Sequence, residues 1–419
     1  MLNRLFALET FGIKLGLENI RELCDALGHP QRSFLSLHVA GTNGKGSVTA
    51  MVHAALVAAG IRAARYTSPH LVRLNERFVV GNEMVDDEML ESVANHVLDA
   101  IDRPPTFFEA TTAMAFEIFR RSHVEVAVIE VGLGGRFDAT NVLEPPVGAI
   151  TSIALDHEQH LGRTLEQIAF EKAGIIKPGM TIVGGALPDA AMQVVREVAL
   201  QRGARLVDAA QDARMTSEME DGRARITIET AADTYGPARL GLRGEHQIGN
   251  AVVAATLLEA ARSHGVNVPA AAVTRGLEDV EWPARLELLS LANGSRVLLD
   301  AAHNPEGARA LRTYLARWHP ERPSLLVSIM RDKDVDAILR ELLPVTSSVI
   351  ATAAKTPRAM PANELASRVR ALDATRAVVA CEDASAAIDA AVARSATVCV
   401  AGSIFMAGEV RERLCTLPR

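Results

Sequence analysis

The stretch HVAGTNGKGSVTAMVHAALVAAG, from His38 to Gly60, passes from a short apolar run through a glycine-rich loop into a long alanine-rich segment. Loops of this kind bind phosphate because glycines let successive backbone N–H groups point at one anion. A helix N-terminus and a lysine then add positive potential. The usual spacing is G-x-x-x-x-G-K-[ST], with the hydroxyl after the lysine on Mg2+. Here Gly41 and Gly44 enclose only Thr42 and Asn43, and Lys45 is followed by Gly46, so the hydroxyl arrives one place late as Ser47. A plain glycine turn ahead of a helix is the alternative. The strand-to-helix setting favours nucleotide binding by Gly41 to Ser47, and leaves the hydroxyl ligand of the metal to be found elsewhere.

Outward from the loop, short apolar strands alternate with amphipathic helices. SFLSLHVAG (33–41) and IRAARYTS (61–68) read as strands on either side of the loop helix, and TTAMAFEIFRRS (111–122) as a further helix. VEVAVIEVG (124–132) and VGAITSIALDH (147–157) are apolar on both faces, the mark of a buried parallel sheet. Near WPARLELLS the pattern restarts, and RVLLDAA, SLLVSIM, SVIATAA, RAVVA and TVCVAGS supply five more strands. The fold class expected is α/β in two domains, residues 1–285 and 286–419, with the boundary close to Arg285.

A chain of 419 residues is too long for one ordinary core. Its net charge of -7, without a basic block, argues against a nucleic-acid partner. Cys24, Cys381, Cys399 and Cys415 are scattered, so neither a disulfide framework nor a zinc site is indicated. MLNRLFALETFG lacks the features of a signal peptide, and AVVAATLLEAA is too short to span a bilayer. A soluble, cytoplasmic protein with no membrane partner is expected.

Ligands bind open parallel sheets at the carboxyl ends of the strands. Two strands end in groups suited to a metal: Glu130 at the tip of VEVAVIEVG, and Asp156 with His157 at the end of AITSIALDH. A carboxylate ending an otherwise apolar strand needs a partner or water. RTLEQIAFEKAGIIKPG carries Thr164 and Gln167 in capping-box spacing and stops at Lys177-Pro178-Gly179. Its apolar stripe runs Leu165, Ile168, Ala169, Lys172, Ala173, Ile176. Lys172 on that face either snorkels to water or is desolvated, with a lowered pKa and an amine free to add CO2. The resulting carbamate is an anionic metal ligand.

HVAGTNGKGS, YTSPHLVRLNERF, TFFEATTAMAF, EVGLGGRFDATN, ITSIALDHEQHLG, FEKAGIIKPG, LRGEHQIGNAVVA, WPARLE, LLDAAHNPEG and MRDKD follow one another along nearly the whole chain. Together they resemble the folylpolyglutamate synthase/dihydrofolate synthase family, related to the muramyl peptide ligases. That family also uses the short loop with glycine after lysine.

The resemblance implies an ATP-dependent amide ligase; a monomer is expected. Its N-terminal domain is P-loop ATPase-like, with a parallel-rich sheet, and its smaller C-terminal domain is Rossmann-like α/β. Carried over to this sequence, Ser68 supplies the hydroxyl to the first of two Mg2+ ions, Glu130 reaches both, His157 binds the second and Lys172 is carbamylated. Asn250, Arg285 and Asp300 match nucleotide contacts, and His303 faces the transferring phosphate. The pterin side corresponds to Thr106, Phe107, Phe108 and Glu109, to Phe137, Asp138 and Ala139, and to Ile13, Lys14 and Leu15. The implied reaction joins L-glutamate to dihydropteroate, to folates, or to both, through an acyl phosphate. A folylpolyglutamate synthase alone is one alternative; a P-loop kinase or ATPase and a non-catalytic nucleotide-binding regulator are the others.

Overall fold

A computed structural model describes residues 2–12 and 16–416. The expectation for Ile13, Lys14 and Leu15 lies outside the described residues. The chain divides into two units. The first comprises the residues up to Glu218 with Arg225–Gly241 and Gln247–Val280, the second Met219–Ala224, Leu242–His246 and the residues from Glu281 onward.

The first unit is built on eight strands: β1 (Leu35–Ala40), β2 (Ala63–Tyr66), β3 (Phe78–Val80), β4 (Glu83–Met84), β5 (Val126–Glu130), β6 (Val147–Ile150), β7 (Thr181–Gly184) and β8 (Arg205–Asp208). They lie in the order β4-β3-β2-β5-β1-β6-β7-β8, with neighbours parallel except at one edge, where β2–β3 and β3–β4 are antiparallel. β5 and β6 are buried throughout, and β1 from Ser36 onward, as their continuous apolar runs require. β1 pairs with β5 on one side and β6 on the other, so the loop after β1 lies between the ends of both neighbours.

Two expectations shift in detail. VGAITSIALDH is not a strand to its end. β6 stops at Ile150, and the next residues turn to meet the glycine loop, so Asp156 and His157 lie well beyond the strand. The helix starting after Thr164 runs only to Ala173. Its Thr164 cap accepts from Gln167 N at 3.3 Å, while the Gln167 side chain accepts from Arg163 N at 2.7 Å rather than from the cap residue. The buried face is the predicted one, Ile168, Ala169, Lys172 and Ala173.

A three-stranded sheet in the order β11-β10-β9 is formed by β9 (Arg214–Glu220), β10 (Arg223–Glu229) and β11 (Thr234–Arg243). Asp221 and Gly222, both at positive φ, join β9 to β10, the Asp-Gly pairing that tight hairpins favour. The second unit holds a six-stranded sheet: β12 (Glu287–Ser290), β13 (Arg296–Leu299), β14 (Ser324–Val327), β15 (Val349–Ala351), β16 (Val378–Ala380) and β17 (Thr397–Ala401). Its order is β12-β13-β17-β14-β15-β16, parallel except for β12, with a helix after each parallel strand. The fold class is therefore α/β with parallel-rich sheets, as read from the sequence. No helix among the described residues is long and apolar enough to cross a membrane.

Candidate active site

The glycine loop leaves β1 at Ala40 and enters the helix Lys45–Ala58. Gly41 has φ +150° and lies against Thr151, where a side chain would collide with the Thr151 hydroxyl. Gly44, at φ +84°, begins the helix in the left-handed region, and the Asn250 carboxamide fills the space its side chain would need. The loop is strapped to the residues after β6. Thr42 N donates to Ser152 O at 2.8 Å and Asn43 N to Ser152 Oγ at 2.9 Å. Thr151 Oγ1 donates to Asn43 O at 2.6 Å, Ser152 Oγ to the same oxygen at 3.1 Å, and Ala154 N to Thr42 Oγ1 at 3.0 Å.

Two lysines converge beneath this loop. Lys45 Nζ donates to Gly41 O at 3.1 Å and Thr42 O at 3.2 Å, and Lys172 Nζ reaches Gly41 O at 2.9 Å from its own helix. Lys172 is only 4% exposed, so it does not snorkel. Burial first, and the Lys45 ammonium second, push its amine down from 10.5 to about 7; Asp156 and Asp138 pull weakly the other way.

Glu130 ends β5 and is buried, and its Oε2 accepts from Ser68 N at 3.2 Å. The Ser68 backbone and the Glu130 carboxylate thus lie side by side, and a carboxylate oxygen is a ligand of the hard kind that suits Mg2+. His157 has φ +52° and opens a short helix, and its backbone N donates to Asp156 Oδ1 at 2.8 Å. Among the described residues, no group of three His, Cys, Asp or Glu is placed to hold a metal by itself. A metal here would rest on a mixed set. Asn250 lies on the helix His246–Ala261 and donates to Gln247 Oε1 at 2.9 Å.

The residues assigned to the pterin side divide into packed and open ones. Thr106 and Glu109 are buried and bond each other as the capping box of the helix Phe107–Arg121, with Thr106 N donating to Glu109 Oε2 at 2.7 Å. Phe107 lies under the Arg77 guanidinium, 5.2 Å from its carbon, and Phe108 sits 6.3 Å from Tyr66. Asp138 is buried and accepts from Thr140 Oγ1 at 2.5 Å, Thr140 N at 3.0 Å and Leu133 N at 2.8 Å; burial nevertheless pushes its carboxyl up. Ala139 is buried beside it. Phe137 is exposed, with the Arg136 guanidinium 4.4 Å from its ring and 5.1 Å from that of Phe170.

In the second unit, Asp300 follows β13 and is buried, with burial pushing its carboxyl up against the pull of Arg285. Its Oδ2 accepts from Leu286 N at 2.9 Å and its Oδ1 from Ala302 N at 2.8 Å. His303 Nδ1 lies 2.8 Å from Ala301 O, and Asn304 caps the helix Pro305–Trp318. Sequence reasoning passed over Thr151 and Ser152, whose only local sign was a pair of hydroxyls inside an apolar run.

The model of the Mur ligase middle domain matches residues 39–258, and that of the Mur ligase glutamate ligase domain matches 284–404. A dihydrofolate synthase/folylpolyglutamate synthase of Bacillus subtilis is 36% identical over 367 residues, 85% of each chain. The chain belongs to the folylpolyglutamate synthase/dihydrofolate synthase family, related to the Mur ligases. It is an ATP-dependent amide ligase of that family, which sets aside the kinase and regulator readings. A Mycobacterium tuberculosis folylpolyglutamate synthase complexed with ADP and AMPPCP has a TM-score of 0.92 at 33% identity, covering 100% of both chains. A bifunctional folylpolyglutamate synthase/dihydrofolate synthase with Mn, AMPPNP and L-glutamate bound has a TM-score of 0.86 at 28% identity, covering 98% of this chain and 97% of its own.

Proposed function

We propose that the chain joins L-glutamate to dihydropteroate and to reduced folates, and so serves as both dihydrofolate synthase and folylpolyglutamate synthase. The observation that supports this reading is the pair of lysines under the Gly41 carbonyl, on a loop that follows the strand paired with the one ending in the buried Glu130. A phosphate loop alone needs one lysine, whereas a second buried amine next to the first calls for a chemical reason. A neutral Lys172 amine attacks CO2, forms an N–C bond and releases a proton, leaving a carbamate where cations must be held. With Ser68, Glu130 and His157, that carbamate would hold two Mg2+ ions, which neutralise the triphosphate when bound.

In the reaction, a substrate carboxylate oxygen attacks the γ-phosphorus and the bond to ADP breaks, giving an acyl phosphate. The amine of glutamate then attacks the acyl carbon, phosphate leaves with its electron pair, and the amine gives up a proton. Carboxylate and triphosphate are both anions, so Lys45 acts by lowering their repulsion and the charge that builds on the transferred group. The amides from Gly41 to Ser47 orient the phosphates, and Asn250, whose carboxamide lies against Gly44, is assigned to the nucleotide. Arg285 and Asp300 are assigned to the nucleotide, and His303 to the transferring phosphate. Thr106 to Glu109 and Phe137 to Ala139 shape the pterin side, through packing for the buried members and contact for Phe107, Phe108 and Phe137. One copy of the chain carries every residue invoked, so we assign a monomer, at work in the cytoplasm where ATP and folates are available.

The scope rests on the double name of the Bacillus relative. Purified protein with ATP and glutamate is expected to convert dihydropteroate to dihydrofolate and to lengthen a reduced folate monoglutamate, as read by product mass spectrometry. Lengthening without the first conversion would leave a folylpolyglutamate synthase alone.

A further inference from the structure

Arg285 stands in the middle of a turn that side-chain-bearing residues rarely adopt. On either side of it Ala284 and Leu286 both have positive φ, +54° and +48°, in the region that favours glycine. Both are buried, so neither is free to unwind without disturbing its surroundings. Backbone strain of this kind persists only where neighbouring groups enforce it, and it gathers at functional sites.

Two carboxylates enforce it here. Asp300 accepts from Leu286 N at 2.9 Å. Glu287 Oε2 accepts from Ala284 N, also at 2.9 Å. Glu287 is itself gripped by Arg411 of the helix Ile404–Cys415, whose Nε lies 3.0 Å from each carboxylate oxygen. The carbonyl of Ala284 is fixed as well, accepting from Ala301 N and from Arg285 Nη1, each at 2.9 Å. Glu287 and Arg411 are only partly buried, and a single ion pair of that kind adds little to stability by itself. What it does is hold the acceptor for the Ala284 amide, because a lone Glu287 side chain would turn to water. The Ala284 amide would then lose its partner and the turn would relax toward extended backbone, carrying the guanidinium of Arg285 with it.

We propose that Glu287 and Arg411 are a positioning pair: they keep the strained turn at Ala284–Leu286 wound and thereby set the direction of Arg285 for nucleotide binding. The inference rests on the nucleotide role assigned to Arg285 above. It explains why an arginine on the last helix of the chain should matter to a site it does not touch.

A mutant cycle on the full chain tests it, with steady-state ligation read as a function of ATP. Arg285→Ala should raise KM for ATP about tenfold, and Arg411→Leu about fivefold, with kcat within about twofold in the latter. Combining them should add nothing to Arg285→Ala, because Arg411 acts only through Arg285. Ala284→Gly in the Arg411→Leu background should recover part of the lost affinity, since glycine takes the turn without strain. A merely structural ion pair would lower the melting temperature without this pattern. If Arg411→Leu leaves KM for ATP unchanged while Arg285→Ala raises it, or if the two effects add in full, the positioning pair is refuted and the nucleotide role of Arg285 stands. If Arg285→Ala itself leaves KM unchanged in an enzyme that ligates glutamate, that role is wrong and the pair loses its purpose with it.

Discussion

Lys172 shares one carbonyl oxygen with Lys45 and is almost wholly out of water. A permanent cation there would meet desolvation and like-charge repulsion together, and both favour the neutral amine. Lys172→Ala is expected to lose about two to three orders of magnitude in turnover, as when a preorganised charge is removed from an active site. Acetate or propionate should restore part of it by occupying the vacated space. Wild-type protein equilibrated with labelled bicarbonate should give a carbamate signal by NMR that the variant lacks. An unlabelled wild type and a variant indifferent to carboxylates would together remove the carbamate. Lys172 was legible in the sequence because an apolar helical stripe with one charge in it is a local pattern. Glu130 was legible for a similar reason, as the charged tip of an apolar strand. The bonding of Thr106 and Glu109 was written just as locally, since T-x-x-E ahead of an apolar run is a capping signature. The engagement of both Asp300 oxygens was not, because their partners lie on a turn and on its own following residues.

The glycine loop is held by the segment after β6, which hydrophobic periodicity alone would continue as strand. VGAITSIALDH runs apolar almost to its end, and period alone gives no reason to stop at Ile150. What ends it is β1 lying next door, whose loop offers amides and carbonyls to Thr151 and Ser152. That adjacency is non-local, so no window of sequence contains it. Thr151→Val keeps the shape and loses the hydroxyl. Ser152 Oγ still serves Asn43 O in that variant, so the cost should be about 1 kcal/mol in thermal or denaturant unfolding. Thr151→Val with Ser152→Ala removes two hydroxyl donors to Asn43 O at once, and there the loss should exceed the sum of the single effects and reach roughly 3 kcal/mol. Additive losses would mean that the two hydroxyls do not share a load. The hairpin at Asp221 and Gly222, by contrast, carries an open signal in its turn dipeptide and in the alternation of RITIE.

At the scale of the molecule, four histidines are kept neutral by burial. His38 and His53 are held down to about 3, and His70 and His246 to about 4, from an ordinary 6.5. The unfolded chain binds protons at these sites below pH 6.5 while the folded chain does not, so stability is intact above that pH and falls as the pH drops toward the folded values. Asp138 and Asp300, pushed up by burial, act with the opposite sign and offset part of the loss. Keeping one such imidazole neutral where the unfolded chain is protonated costs on the order of 3 kcal/mol. The melting temperature should therefore drop markedly between pH 6.5 and pH 4, and His53→Gln should flatten that slope. A variant with an unchanged acid profile would clear His53 of any part in it. The fold class itself, α/β with parallel-rich sheets, was the most legible level of all. Hydrophobic periodicity is repeated many times along the chain and averages out local misreadings.

Asn250 stands where a side chain on Gly44 would have to go, and that has a consequence for how such a protein can drift. The two residues are far apart in the chain, yet a gain of bulk at one demands a loss at the other in the same step. Single changes at either position meet a steep wall, since a small residue at 250 opens a gap before any larger residue at 44 can enter, and the left-handed backbone at 44 resists a side chain in any case. Laboratory libraries that randomise the loop alone should return glycine at 44 almost without exception, and only libraries that vary both sites have a path between them.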